Sequence, residues 1–276
     1  MGTDIKRSWA YLGGVLLLFA GPPSTVLATT TNSQELAQVI TLPQVIYNGP
    51  RTEKRIAMTF DACSSIHVSR VDKKLVQVLV ENHVPATLFL GGKWVLDQPK
   101  EARYLASIPF FEIANHAFHH PHLTRMPAAA IRHELLAAQK AIESVTGVTP
   151  HYFRAPYGEY DGSLVKIAAS LGLTTIQFDL ASGDPDKHFT AQRLSRWVLH
   201  KAKGGSIVVM HMNTHGWHTA EAMPTIIKAL RARGYTFVTI SQLLNEPFPA
   251  PSLVLAKNDS RARKPLPLLL PLFPVH

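Results

Sequence analysis

The sequence predicts an α/β fold whose parallel sheet rolls into a closed or nearly closed barrel. Between residues 55 and 244, seven short apolar runs alternate with amphipathic stretches of helical period. Strands that alternate with helices favour a parallel sheet, because each helix returns the chain to the same edge. With 276 residues, the chain is long enough for one such domain.

The predicted strands are short and rich in β-branched and aromatic residues. Because parallel strands end at one edge, the segments that follow them should meet at one face, which carries the active site in parallel barrels. The strands are Ile56–Phe60, Ala86–Leu90, Phe111–Ala114, Tyr152–Arg154, Thr174–Phe178, Ser206–Met210 and Thr236–Thr239.

The predicted helices fill the intervals between these strands. Apolar residues from Ile131 to Val145 recur at helical spacing, with Pro127 in the first turn and Gly147 as the stop signal. A similar pattern precedes Gly234. The other candidates are Arg70–Asn82, Lys93–Ser107, Gly162–Leu171 and Ala191–Lys203.

Both ends of the chain differ in composition from the middle. Residues 1–28 combine a basic start, an apolar stretch of about twelve residues and small residues before Ala28, which predicts a signal peptide cut after Ala28. An uncleaved anchor is the alternative. After cleavage we expect no membrane span and a secreted or periplasmic protein. Residues 29–52 are an N-terminal extension, and residues 247–276 form a Pro/Leu-rich tail that we expect to be disordered.

Charge and cysteine content narrow the function classes. The net charge is +9. The excess of positive charge in the body of the chain would attract the protein to anionic envelope polymers. Aromatic and basic residues are not interleaved along the chain in the way that would indicate nucleic-acid binding. Cys63 is the single cysteine, so the chain has no intramolecular disulfide.

One short run holds four histidines within seven residues, at positions 116, 119, 120 and 122. His116 and His120 are four residues apart. On a helical turn, this spacing places both imidazoles on one side, where they can share a metal ion. The alternative is a solvated basic loop, because short motifs also match by chance.

Other chemistry-bearing residues follow the predicted strands. Asp61 follows the first strand, Arg154 ends the fourth, and Asp184 and His211 follow the fifth and sixth. Structural roles are the alternatives: Asp61 could cap a helix, and His211 could be a core histidine. Arg154 and Asp184 could form a buried ion pair. Asp179, also after the fifth strand, is expected to act as a cap.

These positions resemble the polysaccharide deacetylases with a NodB homology domain, carbohydrate esterase family 4. The resemblance covers residues 53–246 and implies a distorted (β/α)7-type, NodB-like barrel that hydrolyses N-acetyl groups of a polysaccharide. The family's motifs appear in order as Thr59-Phe60-Asp61-Ala62-Cys63, Asn115-His116-Ala117-Phe118-His119-His120-Pro121, Arg154-Ala155-Pro156-Tyr157-Gly158, Asp184-Pro185 and Ile207–His211.

The resemblance also implies a role for each matched residue. Asp61 would be the general base and His211 the general acid. Arg154 would orient Asp61, and Asp184 would in turn hold Arg154.

Substrate and metal contacts are implied in the same way. Pro156 and Tyr157 would bind substrate, with the Tyr157 backbone N–H facing the oxyanion. His116 and His120 would hold a divalent metal, expected to be weakly bound Zn²⁺.

The sequence departs from the family pattern at two positions. Ala62 replaces an aspartate that binds the metal in the family, so the third ligand is open among Asp61, Cys63 and water. Pro185 replaces a tryptophan, which removes an aromatic wall of the sugar groove.

Three functions follow from this pattern. The first is an exported metal-assisted deacetylase of an N-acetylated envelope or extracellular glycan, peptidoglycan or chitin-like. The second is a glycan-binding relative whose catalysis is impaired by the loss at position 62. The third is an amidase for a non-sugar substrate on the same scaffold.

Overall fold

The structure, a computed structural model, describes residues 44–64 and 68–246. The predicted signal peptide, most of the N-terminal extension and the Pro/Leu-rich tail lie outside these residues. No helix within the described ranges is both long and apolar enough to span a bilayer.

The described chain forms one sheet of nine strands, and all pairings between these strands are parallel. The order is β1-β6-β5-β4-β3-β2-β8-β7, with β9 beside the start of β2. The strands are β1 Val45–Ile46, β2 Arg55–Ala62, β3 Ala86–Leu90, β4 Phe111–Asn115, β5 Tyr152–Phe153, β6 Thr174–Ile176, β7 Leu180–Ala181, β8 Ile207–His211 and β9 Thr236–Phe237.

The parallel sheet confirms the predicted fold class, and its curled path matches a distorted barrel. All seven predicted strands are present, although β5 and β9 contain only two residues each. The prediction missed β1 and β7, which are the two ends of the strand path. Each also has only two residues, too few to show a period in the sequence.

Helices connect the strands and cover the outside of the sheet. Pro99 divides the predicted helix over residues 93–107 into two, because proline suits the first position of a new helix. The helices are α1 Lys73–Glu81, α2 Gly92–Asp97, α3 Pro99–Ser107, α4 Ala128–Thr146, α5 Gly162–Ser170, α6 Ala191–Lys201, α7 Thr219–Ala232 and α8 Ile240–Leu243, with short 3-10 turns at Leu123–Arg125 and Pro156–Gly158.

The two faces of β2 pack in different parts of the core. Phe60 and Ala62 pack in the large apolar cluster beneath the helices, whereas Ala57 packs in a smaller cluster inside the curl of the sheet. Because successive strand residues alternate between faces, Asp61 shares the inner face with Ala57. The strand pattern therefore directs the carboxylate of Asp61 into the barrel.

Asp179 caps the start of β8, in line with its expected role. One carboxylate oxygen accepts the backbone N–H of Ile207 at 2.8 Å, and the other accepts the Ser206 hydroxyl at 2.9 Å. Asp179 also forms an ion pair with Arg51. These contacts hold the strand that ends in His211.

Candidate active site

Asp61 and His211 lie side by side at the C-terminal ends of adjacent strands. They are paired residues in the register of β2 and β8, so both side chains start at the same level of the sheet. The Asp61 side chain is 8% exposed, whereas the His211 side chain is 24% exposed. The buried carboxylate therefore has a more open imidazole as its neighbour at the pocket.

Arg154 binds Asp61, as predicted. Its Nη1 donates to Oδ1 of Asp61 at 2.8 Å, and its guanidinium lies 4.0 Å from the centre of the Phe89 ring. Burial raises the pKa of the Asp61 carboxyl, but the charge and hydrogen bond of Arg154, together with the charge of His211, lower it overall. The carboxylate is therefore kept ionised and ready to accept a proton.

Asp184 binds His211, and the predicted contact between Asp184 and Arg154 is wrong. Its Oδ1 lies 3.0 Å from Nδ1 of His211, and its Oδ2 accepts the His211 backbone N–H at 2.7 Å. Ser182 and Thr219 donate their hydroxyls to the same carboxylate. The chain thus has two separate pairs, Asp61 with Arg154 and Asp184 with His211.

This second pair sets the protonation of His211. Burial lowers the pKa of the imidazole, but the hydrogen bond and the charge of Asp184 raise it above its ordinary value. A raised pKa favours the protonated ring, which is the form that can donate a proton. Within one site, the environment of Asp61 therefore favours its ionised form, whereas that of His211 favours its protonated form.

His116 and His120 come together, with 5.0 Å between their ring centres. The predicted helical turn is wrong, because residues 116–120 form a loop in which Ala117 and His120 have positive φ of 61° and 60°. β4 ends at Asn115, and the loop folds back immediately after it. The pairing therefore comes from this loop and not from helical spacing.

The orientation of His116 is set by the backbone. Its Nδ1 lies 2.9 Å from the carbonyl oxygen of Arg154, which can only accept, so Nδ1 carries the hydrogen. Burial lowers the pKa of His116, and burial with the nearby His116 lowers the pKa of His120 to about 3. The Nε2 of His116 is thus a free electron-pair donor, 3.8 Å from Oδ2 of Asp61.

His116 and His120 offer two imidazole donors to a divalent ion, whereas a zinc site usually has three or four protein ligands. Within residues 44–64 and 68–246, no three His, Cys, Asp or Glu side chains converge as a metal-binding group. Ala62 is fully buried and brings no donor. Burial and the charge of Asp61 raise the pKa of the Cys63 thiol to about 12, so Cys63 is a neutral thiol in this environment.

These groups line a pocket of about 450 Å³ at the C-terminal ends of the strands. Tyr157 lies at its mouth, 56% exposed, and stacks on His122 with 4.0 Å between ring centres. Pro156, predicted to bind substrate, is buried and is not among the lining residues. The lining residues are Asp61, Cys63, His116, His120, Arg154, Tyr157, Gly158, Phe178, Ala181, Ser182, Gly183, Asp184, Pro185, Val209, His211 and His215.

Sequence reasoning missed several residues that support the site. Phe89 packs on Arg154, Thr219 holds Asp184, and Glu134 on α4 contacts the histidine loop. Only Glu134 gave a usable signal, because it is a charged residue on the apolar face of a predicted helix. The other two are ordinary core residues whose partners are distant in the sequence.

Known proteins resemble this chain in sequence and in fold. A family model described as polysaccharide deacetylase matches residues 48–176. The peptidoglycan-N-acetylglucosamine deacetylase PgdA of Listeria monocytogenes is 31% identical over 238 residues, which are 86% of this chain and 48% of the relative. The chain therefore spans about half the length of that protein.

This chain covers a larger share of two further relatives. The chitooligosaccharide deacetylase of a Bradyrhizobium strain is 30% identical over 182 residues, 61% of this chain and 82% of the relative. A CE4 family pseudoenzyme from Bacillus anthracis has a TM-score of 0.67 and 28% identity, over 74% of this chain and 70% of that one. A mutant of that pseudoenzyme is described as having restored enzymatic activity. The chain belongs to the polysaccharide deacetylase family.

Proposed function

We propose that this protein is an exported, metal-assisted deacetylase of an N-acetylated envelope or extracellular glycan. The observation that carries the proposal is the presence of two pairs in one pocket. Arg154 favours the ionised form of Asp61, and Asp184 favours the protonated form of His211. A base and an acid on adjacent strands suit the hydrolysis of an amide, which needs one proton removed from water and one given to nitrogen.

The proposed reaction uses Asp61 first. Its ionised carboxylate accepts a proton from a water molecule, whose oxygen adds to the acetyl carbonyl carbon. Arg154 keeps the carboxylate ionised and pointing into the pocket. The Tyr157 backbone N–H is the proposed donor to the developing oxyanion, a contact that can contribute about 3 kcal/mol.

His211 completes the reaction as the proposed acid. Its protonated ring donates to the sugar nitrogen while the C–N bond breaks, which leaves acetate and a free amine. Asp184 holds the ring and favours its protonated form. A divalent ion held by His116 and His120, expected to be Zn²⁺, supplies Lewis acidity toward the carbonyl and the water when bound.

The proposed substrate class comes from the relatives and from the charge of the chain. PgdA is named for peptidoglycan N-acetylglucosamine, and the Bradyrhizobium relative for chitooligosaccharides. Both names point to N-acetylated sugars linked in a chain. The basic net charge and the proposed signal peptide over residues 1–28 agree with a substrate outside the cell membrane.

Release of acetate tests this function. Full-length protein is incubated with peptidoglycan and with chitin oligosaccharides, with Zn²⁺ or with a chelator. We expect release that the chelator abolishes and that Asp61→Asn lowers by about 10²- to 10⁴-fold. Asp186→Asn, at an exposed position outside the pocket, is the matched control and should behave as wild type.

A glycan-binding protein with impaired catalysis is the second candidate, favoured by Ala62 and by the Bacillus anthracis pseudoenzyme. It predicts binding without acetate release, unchanged by Asp61→Asn. Release from non-sugar acetamides alone would instead favour an amidase. The family pattern, in which an aspartate at this position binds the metal, predicts that Ala62→Asp raises the Zn²⁺ affinity more than the same-shape Ala62→Asn does. Equal affinities in the two folded variants would contradict a ligand role for position 62.

A further inference from the structure

A buried glutamate on α4 lies behind the loop that carries the paired histidines. Glu134 is 6% exposed, on the same helix face as the buried Leu135 and Ala138. Removing a carboxylate from water is costly, so glutamates are almost never buried without partners. The contacts of Glu134 should therefore explain its position.

The partners of Glu134 are consecutive residues of the loop. Its Oε2 accepts the backbone N–H of Phe118 at 3.1 Å and that of His119 at 2.9 Å. Its Oε1 lies 2.8 Å from Nδ1 of His119. Hydrogen bonds to an ionised acceptor are about twice as strong as those between neutral groups. One side chain therefore fixes the middle of the loop between His116 and His120.

The loop needs such an anchor because its backbone is strained. Ala117 and His120 both have positive φ, a conformation that costs a non-glycine residue on the order of 1–3 kcal/mol. Such residues persist only where their surroundings hold them. Asn115 also accepts the Ala117 N–H at 2.9 Å, and the backbone N–H groups of Gly92 and Lys93 donate to the carbonyl oxygens of Ala117 and Phe118. Without Glu134, we expect the loop to relax and the two imidazoles to move apart.

We propose that Glu134 is a positioning residue for the metal-binding pair. Its carboxylate stabilises the strained loop, so that the rings of His116 and His120 stay 5.0 Å apart at the pocket. Glu134 is not among the residues that line the pocket, and it acts through the loop. The role of Glu134 in metal binding rests on the proposed metal-assisted function, whereas its contacts with the loop are independent of that function.

Three measurements on Glu134→Ala and Glu134→Gln test the proposal. They are hydrogen exchange of the Phe118 and His119 amides in metal-free protein, Zn²⁺ affinity by calorimetry, and kcat and KM for acetate release. We expect faster exchange, Zn²⁺ binding about 10- to 100-fold weaker, and a larger change in kcat than in KM.

The control is Glu143→Ala, which removes an exposed carboxylate from the same helix and should leave all three readouts unchanged. Glu134→Gln keeps one carbonyl oxygen and should lie between wild type and Glu134→Ala. If Glu134→Ala does not fold, the glutamine variant provides the test.

Wild-type exchange and wild-type Zn²⁺ affinity in a folded Glu134→Ala protein would overturn the proposal, even if its melting temperature fell. Absence of Zn²⁺ binding by the wild type would instead overturn the proposed function. Faster exchange at Phe118 and His119 would still support the anchoring of the loop in that case.

Discussion

At the residue scale, the proposed base Asp61 and the proposed acid His211 lie in environments that shift their pKa values in opposite directions. The charge of Arg154 lowers the pKa of Asp61 and the charge of Asp184 raises that of His211, each against the effect of burial. Both groups are then charged over the same pH range. Groups with environments of this kind are typical of acid and base pairs in enzymes.

Asp184→Asn should lower kcat/KM and change its pH dependence. His211 donates a proton only while its ring is protonated, which holds below its raised pKa, so activity should fall as the pH rises through that value. Loss of the Asp184 charge lowers this pKa, and the alkaline limb of the profile should move to lower pH. We expect a decrease of about 10²- to 10⁴-fold at the optimum.

Asp186→Asn is the control for this profile, because Asp186 is exposed two residues away and does not line the pocket. A profile of kcat/KM against pH for the three proteins is the measurement. An alkaline limb that stays in place in Asp184→Asn would contradict the assignment of His211 as the acid held by Asp184.

Residue identity was easier to predict than residue pairing. Motif positions indicated Asp61, Arg154, Asp184 and His211, and the structure brings all four to the pocket. The predicted partner of Asp184 was wrong, because the sequence does not show that β7, which precedes Asp184, lies beside β8 and away from β5, which precedes Arg154. Side-chain pairing depends on strand order, which local sequence does not encode.

At the element scale, short loops and turns decide where chemistry is placed. Helical spacing predicted the pairing of His116 with His120, but a loop with two positive φ values produces it. The start and stop signals of α4 predicted its ends well, since Pro127 precedes it and Gly147 follows it with φ of 73°. Strong local preferences were therefore readable, whereas strained backbone was not.

Alanine should change the stability of the protein in opposite directions at Gly162, the first residue of α5, and at Gly172, which follows the helix. Apart from the adjoining chain, no heavy atom lies within 4 Å of the position of a new Cβ at Gly162 or at Gly172, so the backbone conformation decides the effect. Gly162→Ala at the helix start should stabilise the protein by about 0.4–1 kcal/mol through the entropy of the unfolded chain. Gly172→Ala should destabilise it by about 1–2 kcal/mol, because its φ of +74° is unfavourable for alanine.

Chemical unfolding of the two variants and the wild type measures these changes, and each variant is the control for the other. Acetate release should stay unchanged in both, because neither glycine lines the pocket. The two changes in stability need not be equal in size. A stabilising effect of Gly172→Ala would contradict the left-handed backbone at that position.

At the scale of the whole molecule, a polar cluster joins the inside of the barrel to the last helix. Glu112 is 2% exposed, and its Oε2 accepts the Thr87 hydroxyl at 2.7 Å and the Ile240 and Ser241 backbone N–H groups at 3.0 and 3.3 Å. These contacts connect β3 and β4 with α8. Burial raises the pKa of Glu112 despite its hydrogen bonds.

This raised pKa predicts a pH dependence of stability. The folded protein retains a proton on Glu112 that the unfolded chain releases near pH 4.5, so the contribution of Glu112 to the stability of the folded state is largest below that pH. This contribution to the free energy of unfolding should decrease as the pH rises from about 4.5 toward the raised pKa. Glu112→Gln, which has no titrating proton, should show a weaker decrease over this range.

Chemical unfolding at a series of pH values compares Glu112→Gln with the wild type. Glu143→Gln removes one exposed carboxylate from α4 and controls for the change in net charge. A decrease in stability with the same slope in Glu112→Gln and in the wild type would contradict the assignment to Glu112.

By itself, the sequence determined the parallel α/β class, the seven main strands and the residues that we propose as carriers of the chemistry. Period, turn residues and motif spacing are local properties, so they can be read without the fold. Only the tertiary structure decided that Asp184 pairs with His211, that a strained loop brings the two histidines together, and that Glu134 lies behind that loop. These contacts join residues from 4 to 27 positions apart along the chain. They arise from strand order and backbone turns, which no local pattern specifies.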